Sequence, residues 1–494
     1  MAKVETLGPV EKGMVVMHNA KMLGERGRFQ ENLGEFVNVL KVIPEDNILR
    51  QVDRILDLSW LRSEVRHLYC EDNGRPSIDP ESALRLMLAG FLHGIVHDRH
   101  LMREAQVHMA IRWFAGYGMS EELPDHSSLT KIRQRWGPEI FRKVFKRTVS
   151  MCVEAGLVGG ETAHIDSTMI RADASLDSFV DKYVEDVQRE NDDDDPPYGG
   201  AAKCSPRKVK REKEKRSVTD PDASMARSNR RDRLEPRFKQ HTAVDDKNGV
   251  MTDVGVTTGK ASEAPLLIGQ VERIEENTGM RPSCVTADAG YATSENYRIL
   301  DERGIDAVIP VQPERNQGRG VPIRRFKYDA KNDMVKCPMG KKLRRSHSSR
   351  QGWYYAGRAA DCLKCKLRAR CVPPANRVRK VLIIHGYVSL LRARRRWKAP
   401  DAETRLNYRR HRWRVEGRHA EAKERHGLRR AVRRGLREVS IQVFLTAAVM
   451  NLKRLAASFA LIFIALMSLY RPPKPIFQPK IKYPNIKPNL HKFQ

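Results

Sequence analysis

Only one extended apolar run occurs in these 494 residues, Ala456 to Tyr470, about 15 residues long. That is short of the roughly 20 needed to span a bilayer as a helix. The run reads as a buried or partner-facing helix, and no membrane partner is expected. Cysteine is scarce too: eight in a chain of this length do not make a disulfide scaffold. Met1 to Val15 lacks the apolar stretch of a secretory leader, so the expected location is the cytoplasm. Acids are the minority charge. Against 61 aspartates and glutamates stand 91 lysines and arginines, a net charge of +30 and far outside the usual range for a metabolic enzyme. Such a surplus repels itself unless an anionic partner neutralises it, and nucleic acid is the commonest such partner.

Residues 1–39 read as an N-terminal extension and 40–150 as a helical domain. Asp79-Pro80 supplies an N-cap and a proline at the first helical position. Leu84, Met87, Leu88, Phe91 and Leu92 then recur at the spacing of one helix face. A second helix is expected from Leu101 to Phe114, stopped by Gly116 and Gly118. A third follows Pro124-Asp125-His126-Ser127 and carries Lys131, Arg133, Arg135 and Trp136. Short helices ending in a basic one suggest a helix-turn-helix-like DNA-binding unit, with Lys131, Arg133 and Arg135 as contacts. A plain packing or dimerisation domain is the simpler alternative.

From 161 to 311 the period falls to two. His164, Asp166, Thr168 and Ile170 share one face of a strand. His241 to Asp245 and Val250 to Thr257 form a hairpin across Asn248-Gly249. A helix is expected from Ser262 to Asn277, a strand from Ser283 to Asp288, a helix from Ser294 to Arg303 and a strand from Ile305 to Val311. The fold class is therefore α/β, a mixed sheet in the order β-β-β-α-β-α-β. Residues 177–238 interrupt it. They hold Asp192 to Asp195 and a block from Arg207 to Arg216 with seven basic residues among ten, too polar to offset their ordering entropy. This insertion is expected to be flexible, with a turn at Thr219-Asp220-Pro221-Asp222.

A second insertion, 312–402, is β-rich and contains Cys337, Cys362, Cys365 and Cys371. Their spacing resembles a zinc ribbon, although Cys365 to Cys371 is long for a second knuckle. Structural zinc and reduced free thiols are both open. Asp401 starts a long basic helix through Glu424, Ser440 to Ser458 is an apolar-faced helix able to back the sheet, and 459–494 is an apolar, then proline-rich, tail. Residues 403–458 would complete the catalytic domain begun at 161–311.

Asp166 lies mid-strand, Asp288 at a strand end beside Gly290, and Glu416 on the arginine-rich helix. Phosphodiester chemistry needs an activated oxygen, a stabilised leaving oxygen and neutralised charge at phosphorus. Two Mg²⁺ ions supply all three, and hard ions take oxygen ligands. Three carboxylates in a strongly basic chain fit that requirement. Arg412 and Lys423 flank Glu416 near one helix face and would hold DNA phosphates. Trp413 is expected in the core.

The segments HIDSTMIRAD around Asp166, HTAVDDKNGV at 241–250, TADAGY around Asp288 and RWRVEGRHAEAKERHGLRRAVRRG from Arg412 resemble bacterial insertion-sequence DDE transposases. These have a ribonuclease-H-like core and a Tyr-Arg-Glu-Lys signature. LYCEDNGRPSIDPESALRLMLAGFLHGI and PDHSSLTKIRQRW resemble their helical N-terminal domain. The likeness runs from about residue 40 to 455. The signature falls on Arg412, Glu416 and Lys423; Arg409 holds its tyrosine position, with Tyr408 one residue off. The resemblance implies Asp166, Asp288 and Glu416 as catalytic acids on two Mg²⁺, and a four-cysteine insertion ahead of the glutamate helix. It also implies binding of terminal inverted repeats, hydrolysis then strand transfer, a dimer or larger assembly on DNA, and a place on the nucleoid. A nuclease on the same core that does not join strands is one alternative. A decayed transposase that only binds DNA is another.

Overall fold

The computed structural model describes residues 38–69, 77–175, 179–181, 215–227, 231–313 and 320–469. Met1–Pro44 and Glu45–Gln494 are two compact units. The first contributes one short helix, Val39–Val42, capped by Asn38. Everything below belongs to the second.

The amino-terminal helices begin where their caps stand. The Asp79 side chain accepts from the Ser82 amide at 2.9 Å and starts helix Pro80–Leu92. Asp125 accepts from the Ser127 amide at 2.8 Å and starts His126–Glu154. The helix expected from Leu101 to Phe114 is instead two, Asp98–Val107 and Met109–Phe114. His108 takes an extended conformation between them, and its Nδ1 caps the second. The last helix is not short: it runs 29 residues with a kink at Gly137, just before Pro138.

Ten residues make β1 (Thr162–Arg171), buried at Ala163, His164 and Ile165 and half-buried from Asp166 to Met169. The polar insertion contributes β2 (Phe179–Asp181), β3 (Lys215–Ser217) and β4 (Ser224–Ala226). Then come β5 (Glu235–Asp245), β6 (Met251–Thr258), β7 (Cys284–Ala287) and β8 (Asp306–Val308). The main sheet is ordered β4-β5-β1-β7-β8, with β6 also paired to β5. β5 runs antiparallel to β1 and β6, and β7 and β8 extend the sheet in parallel. Gly249 sits at φ +67° in the β5–β6 turn, the conformation for which an Asn-Gly pair is suited. The basic block at 207–216 falls largely outside the described residues, as do Asp192 to Asp195 and the prolines beyond 470. The turn at Asp220 to Asp222 is not a free loop. Its two carboxylates accept from the Gly435 and Leu436 amides at 3.2 and 2.8 Å and so cap the terminal helix.

Parity on β1 decides which layer each residue meets. Ala163 and Ile165 point into a core with Leu267, Val271 and Ile274 of helix Leu267–Thr278. His164 and Thr168 point to the glutamate helix, Ala402–Arg425. The terminal helix Leu436–Leu469 packs along β6 and along His126–Glu154. Its stretch Leu436–Phe459 is long and apolar enough to cross a membrane by composition, yet 83% of the window is buried inside the protein. Asn451, fully buried, closes that contact: its Oδ1 accepts from the Met251 amide and its Nδ2 donates to the Met251 carbonyl, both at 2.9 Å.

The cysteine insertion builds a second, antiparallel sheet. Its strands are β9 (Lys327–Asp329), β10 (Met334–Lys336), β11 (Lys342–Ser349), β12 (Gly352–Ala356) and β13 (Lys380–Ile384), ordered β13-β12-β11-β10-β9. Tyr355, Val381 and Ile383 join the hydrophobic core of the main sheet.

Candidate active site

Ile165 on β1 pairs with Ala287 on β7 in parallel register. The residues that follow, Asp166 within β1 and Asp288 just past the end of β7, therefore stand side by side, one strand spacing apart, about 5 Å. Asp166 accepts from the Ser167 amide at 2.7 Å, and Asp288 accepts from the Gly290 amide at 2.8 Å as it turns the chain out of β7. Both side chains are partly buried. Burial above all pushes the Asp166 carboxyl up to about 7, with the negative charges of Asp288, Glu263 and Glu416 adding to it against the Ser167 hydrogen bond. Burial also raises Asp288, and Glu263 adds to that. A carboxyl raised by the charges of three others shares their neighbourhood.

Glu416 reaches this neighbourhood from the glutamate helix, which is pinned to the sheet by polar contacts. His164 of β1 meets the Thr286 hydroxyl of β7 at 2.6 Å, and Thr286 meets His411 Nδ1 at 3.0 Å. Nε2 of His164 faces Asp246 at 3.2 Å, and Asp246 also takes Arg410 at 2.8 Å and Arg414 at 3.3 Å. Burial drives His411 down to about 3 and also lowers His164, so both stay neutral. Farther along, Lys423 donates to the Thr168 hydroxyl on the Asp166 face of β1. At the helix end His426 Nδ1 meets the Phe91 carbonyl at 2.7 Å. There Gly94, at φ +74°, lies so close that a Cβ would sit 2.7 Å from the Arg425 carbonyl.

The three acids share a rim without closing on a point. Glu416 is the outermost: its side chain is 64% exposed and lies 3.5 Å from Arg412. Among the described residues, no three His, Cys, Asp or Glu side chains lie close enough together to hold a metal ion as they stand.

Arg412 is 70% exposed beside Glu416, and Lys423 is partly buried. Tyr408 packs edge-on to Trp397 and stacks on His411, with ring centroids 5.1 and 5.9 Å away. Trp413, expected in the core, is 58% exposed with the Arg414 guanidinium 4.2 Å over its ring. Its helix is buried through Thr404, His411, Val415, His419 and Ala422, and position 413 falls on the opposite side. Lys131 and Arg135 are exposed, Arg135 over the Tyr69 ring at 4.5 Å. Arg133 is a correction: it is 1% exposed and bonded at 2.6 Å to Asp98, so its charge serves a buried ion pair and not a DNA contact. Cys337, Cys362, Cys365 and Cys371 line one cavity and form no disulfide.

Several residues of the site carried no signal in the sequence. Glu263 bonds Ser167 and Lys239 beside Asp166. Tyr291, in the same segment as Asp288, is buried against these acids. An acid just ahead of a helix reads as an ordinary N-terminal charge, and a strand lysine as surface; only their meeting sets them apart.

Residues 37–135 match a transposase domain (DUF772), and residues 336–456 match a transposase DDE domain. The second span takes in the cysteine insertion and Glu416 and does not reach Asp166 or Asp288. No curated protein matches the chain. Among solved structures it is similar to piggyBac transposase in a synaptic complex with hairpin DNA. Identity there is 11% and the TM-score 0.29, covering 88% of this chain and 82% of that one. It is also similar to Mos1 transposase in a paired-end complex with the left transposon end, at 10% identity and TM-score 0.16, covering 50% and 65%. Likeness that slight carries no weight here. With one transposase domain at its start and a DDE transposase domain around its glutamate helix, the chain is a DDE transposase of the insertion-sequence kind, an enzyme that cleaves and joins DNA.

Proposed function

We propose that Asp166, Asp288 and Glu416 are the acids of this transposase, on a ribonuclease-H-like sheet, and that they hold two Mg²⁺ ions. The carrying observation is the register of β1 on β7, which sets mid-strand Asp166 beside Asp288 just past the end of β7, with the glutamate helix tied to the same face through Thr168 and Thr286. The family implies a divalent metal, and the donor set fits: carboxylate oxygens close enough that the charges of Asp288 and Glu416 add to the raising of Asp166. Such ions, when bound, activate the attacking oxygen and stabilise the leaving one.

The chain's own residues have separable tasks. The His164–Thr286–His411 contacts hold the helix that carries Glu416, and Lys423 ties it to β1. Arg412, with Arg409 and Trp413 on the exposed side, faces DNA phosphates and bases. Lys131 and Arg135 on the helical region, 40–150, contact the transposon ends, which as a pair call for a dimer or larger assembly. Residues 161–311 and 403–458 act as the catalytic domain, 312–402 as its insertion, with a structural zinc on the four cysteines. The enzyme works in the cytoplasm on the nucleoid.

A strand-transfer assay with matched end sequences tests this reading. Asp166→Ala, Asp288→Ala and Glu416→Ala should abolish cleavage and leave DNA binding within a few-fold of wild type. Cutting without any joined product supports a nuclease instead, and loss of binding together with cutting means that the acids have been given the wrong role.

A further inference from the structure

Glu263 is a fourth carboxylate at the rim. It stands just ahead of the turn Ala264–Leu266, between β6 and helix Leu267–Thr278. Its Oε1 accepts from the Ser167 hydroxyl at 2.6 Å and pairs with Lys239 Nζ at 2.9 Å. Lys239 in turn donates to the Ala261 carbonyl at 2.8 Å. The other oxygen is turned toward Asp288. A Cβ on Gly290 would lie 2.9 Å from Glu263 Oε2 and 2.8 Å from Asp288 Oδ1. The two acids thus converge over the same bare stretch of backbone.

Two carboxylates held together disfavour each other's charge unless a cation lies between or beside them. Lys239 supplies one positive charge here, on the Oε1 side. A buried hydroxyl faces the same acids. Tyr291 is completely buried, and its hydroxyl has no hydrogen-bond partner. That hydroxyl lies among Glu263, Asp166, Asp288 and the Ser167 side chain.

We propose that Glu263 is a fourth carboxylate ligand of the divalent-metal site, sharing one ion with Asp288, with Lys239 as the resident cation that offsets Glu263 until the ion arrives. This rests on the reading of Asp166 and Asp288 as metal ligands. The plainer account makes Glu263 only the counter-ion of Lys239, and the two accounts differ in what each variant does to metal affinity.

Mn²⁺ binding to the full chain without DNA, followed by titration calorimetry, separates them. Glu263→Gln should weaken the affinity at least about tenfold, as Asp288→Asn does. Lys239→Met should bind Mn²⁺ as well as wild type or more tightly, because it removes the competing cation. The double variant Lys239→Met with Glu263→Gln leaves no stranded charge to unfold the chain, and it should bind as weakly as Glu263→Gln alone. If Asp288→Asn weakens binding while Glu263→Gln and the double variant stay within about twofold of wild type, Glu263 is not a ligand. If Asp288→Asn is also without effect, the metal reading of the three acids fails first.

Discussion

Asparagine at position 166 keeps the shape of the side chain and an acceptor for the Ser167 amide, 2.7 Å away, and removes only the charge. In the wild type that charge is costly. Burial chiefly, then Asp288, Glu263 and Glu416, push the Asp166 carboxyl up to about 7, whereas in the unfolded chain it titrates near 4. Between about pH 4 and 7 the folded protein therefore retains a proton that the unfolded one has lost, and stability falls as pH rises through that window. A shift of about three units corresponds to roughly 4 kcal/mol. The side chain is only partly covered, and water at the rim screens its neighbours, so about 2–3 kcal/mol is the expected effect. Asp166→Asn and wild type should match in urea unfolding near pH 4 with a chelator present. Near pH 8 the variant should be the more stable by that amount. Saturating Mg²⁺ should narrow the gap, since the ion binds folded wild type and stabilises it by mass action. A difference that stays constant across pH, or a less stable variant at pH 8, would refute the burial of Asp166 among its acidic neighbours.

Asp98→Ala should cost about 3–5 kcal/mol in urea unfolding, because it strands the buried Arg133 and leaves Arg433 only its longer pair with Glu438; a loss under about 1 kcal/mol would mean that the ion pair is incidental. Arg412→Ala should weaken DNA binding and lower the salt slope by about one, whereas Tyr408→Phe should leave binding unchanged, its ring being packed on Trp397 and His411. Protein purified without chelator should carry about one zinc per chain by elemental analysis, and Cys362→Ser should lose it; a metal-free wild type would leave the four cysteines as reduced thiols.

Much of the architecture was legible because its signals are short-range. Asp79, Asp125 and Asp401 announce helix starts through amides two or three residues away. Asn248-Gly249 announces its hairpin through the backbone angle of one residue. Alternation in β1 separated Ile165 from His164 and Asp166 before any partner was known. Even the three acids had local marks: Asp166 lay mid-strand, where a buried carboxylate is expensive without a cation, Asp288 at a strand end beside Gly290, and Glu416 on an arginine-rich helix.

What could not be read is who meets whom. Arg133 and Arg135 lie on one helix two residues apart, yet Arg133 is sealed against Asp98 and Arg135 lies outside over Tyr69. Trp413, apolar by type, faces water because the buried side of its helix is set by His411, Val415 and His419. Glu263 and Lys239 each looked ordinary. They became part of the site only when the β6 connection folded back beside β1 and β7. Local backbone preferences are carried by neighbouring residues and survive in the linear chain. Charge pairing, burial and the meeting of distant carboxylates depend on which segments the packed core brings together, and no short window of residues encodes that.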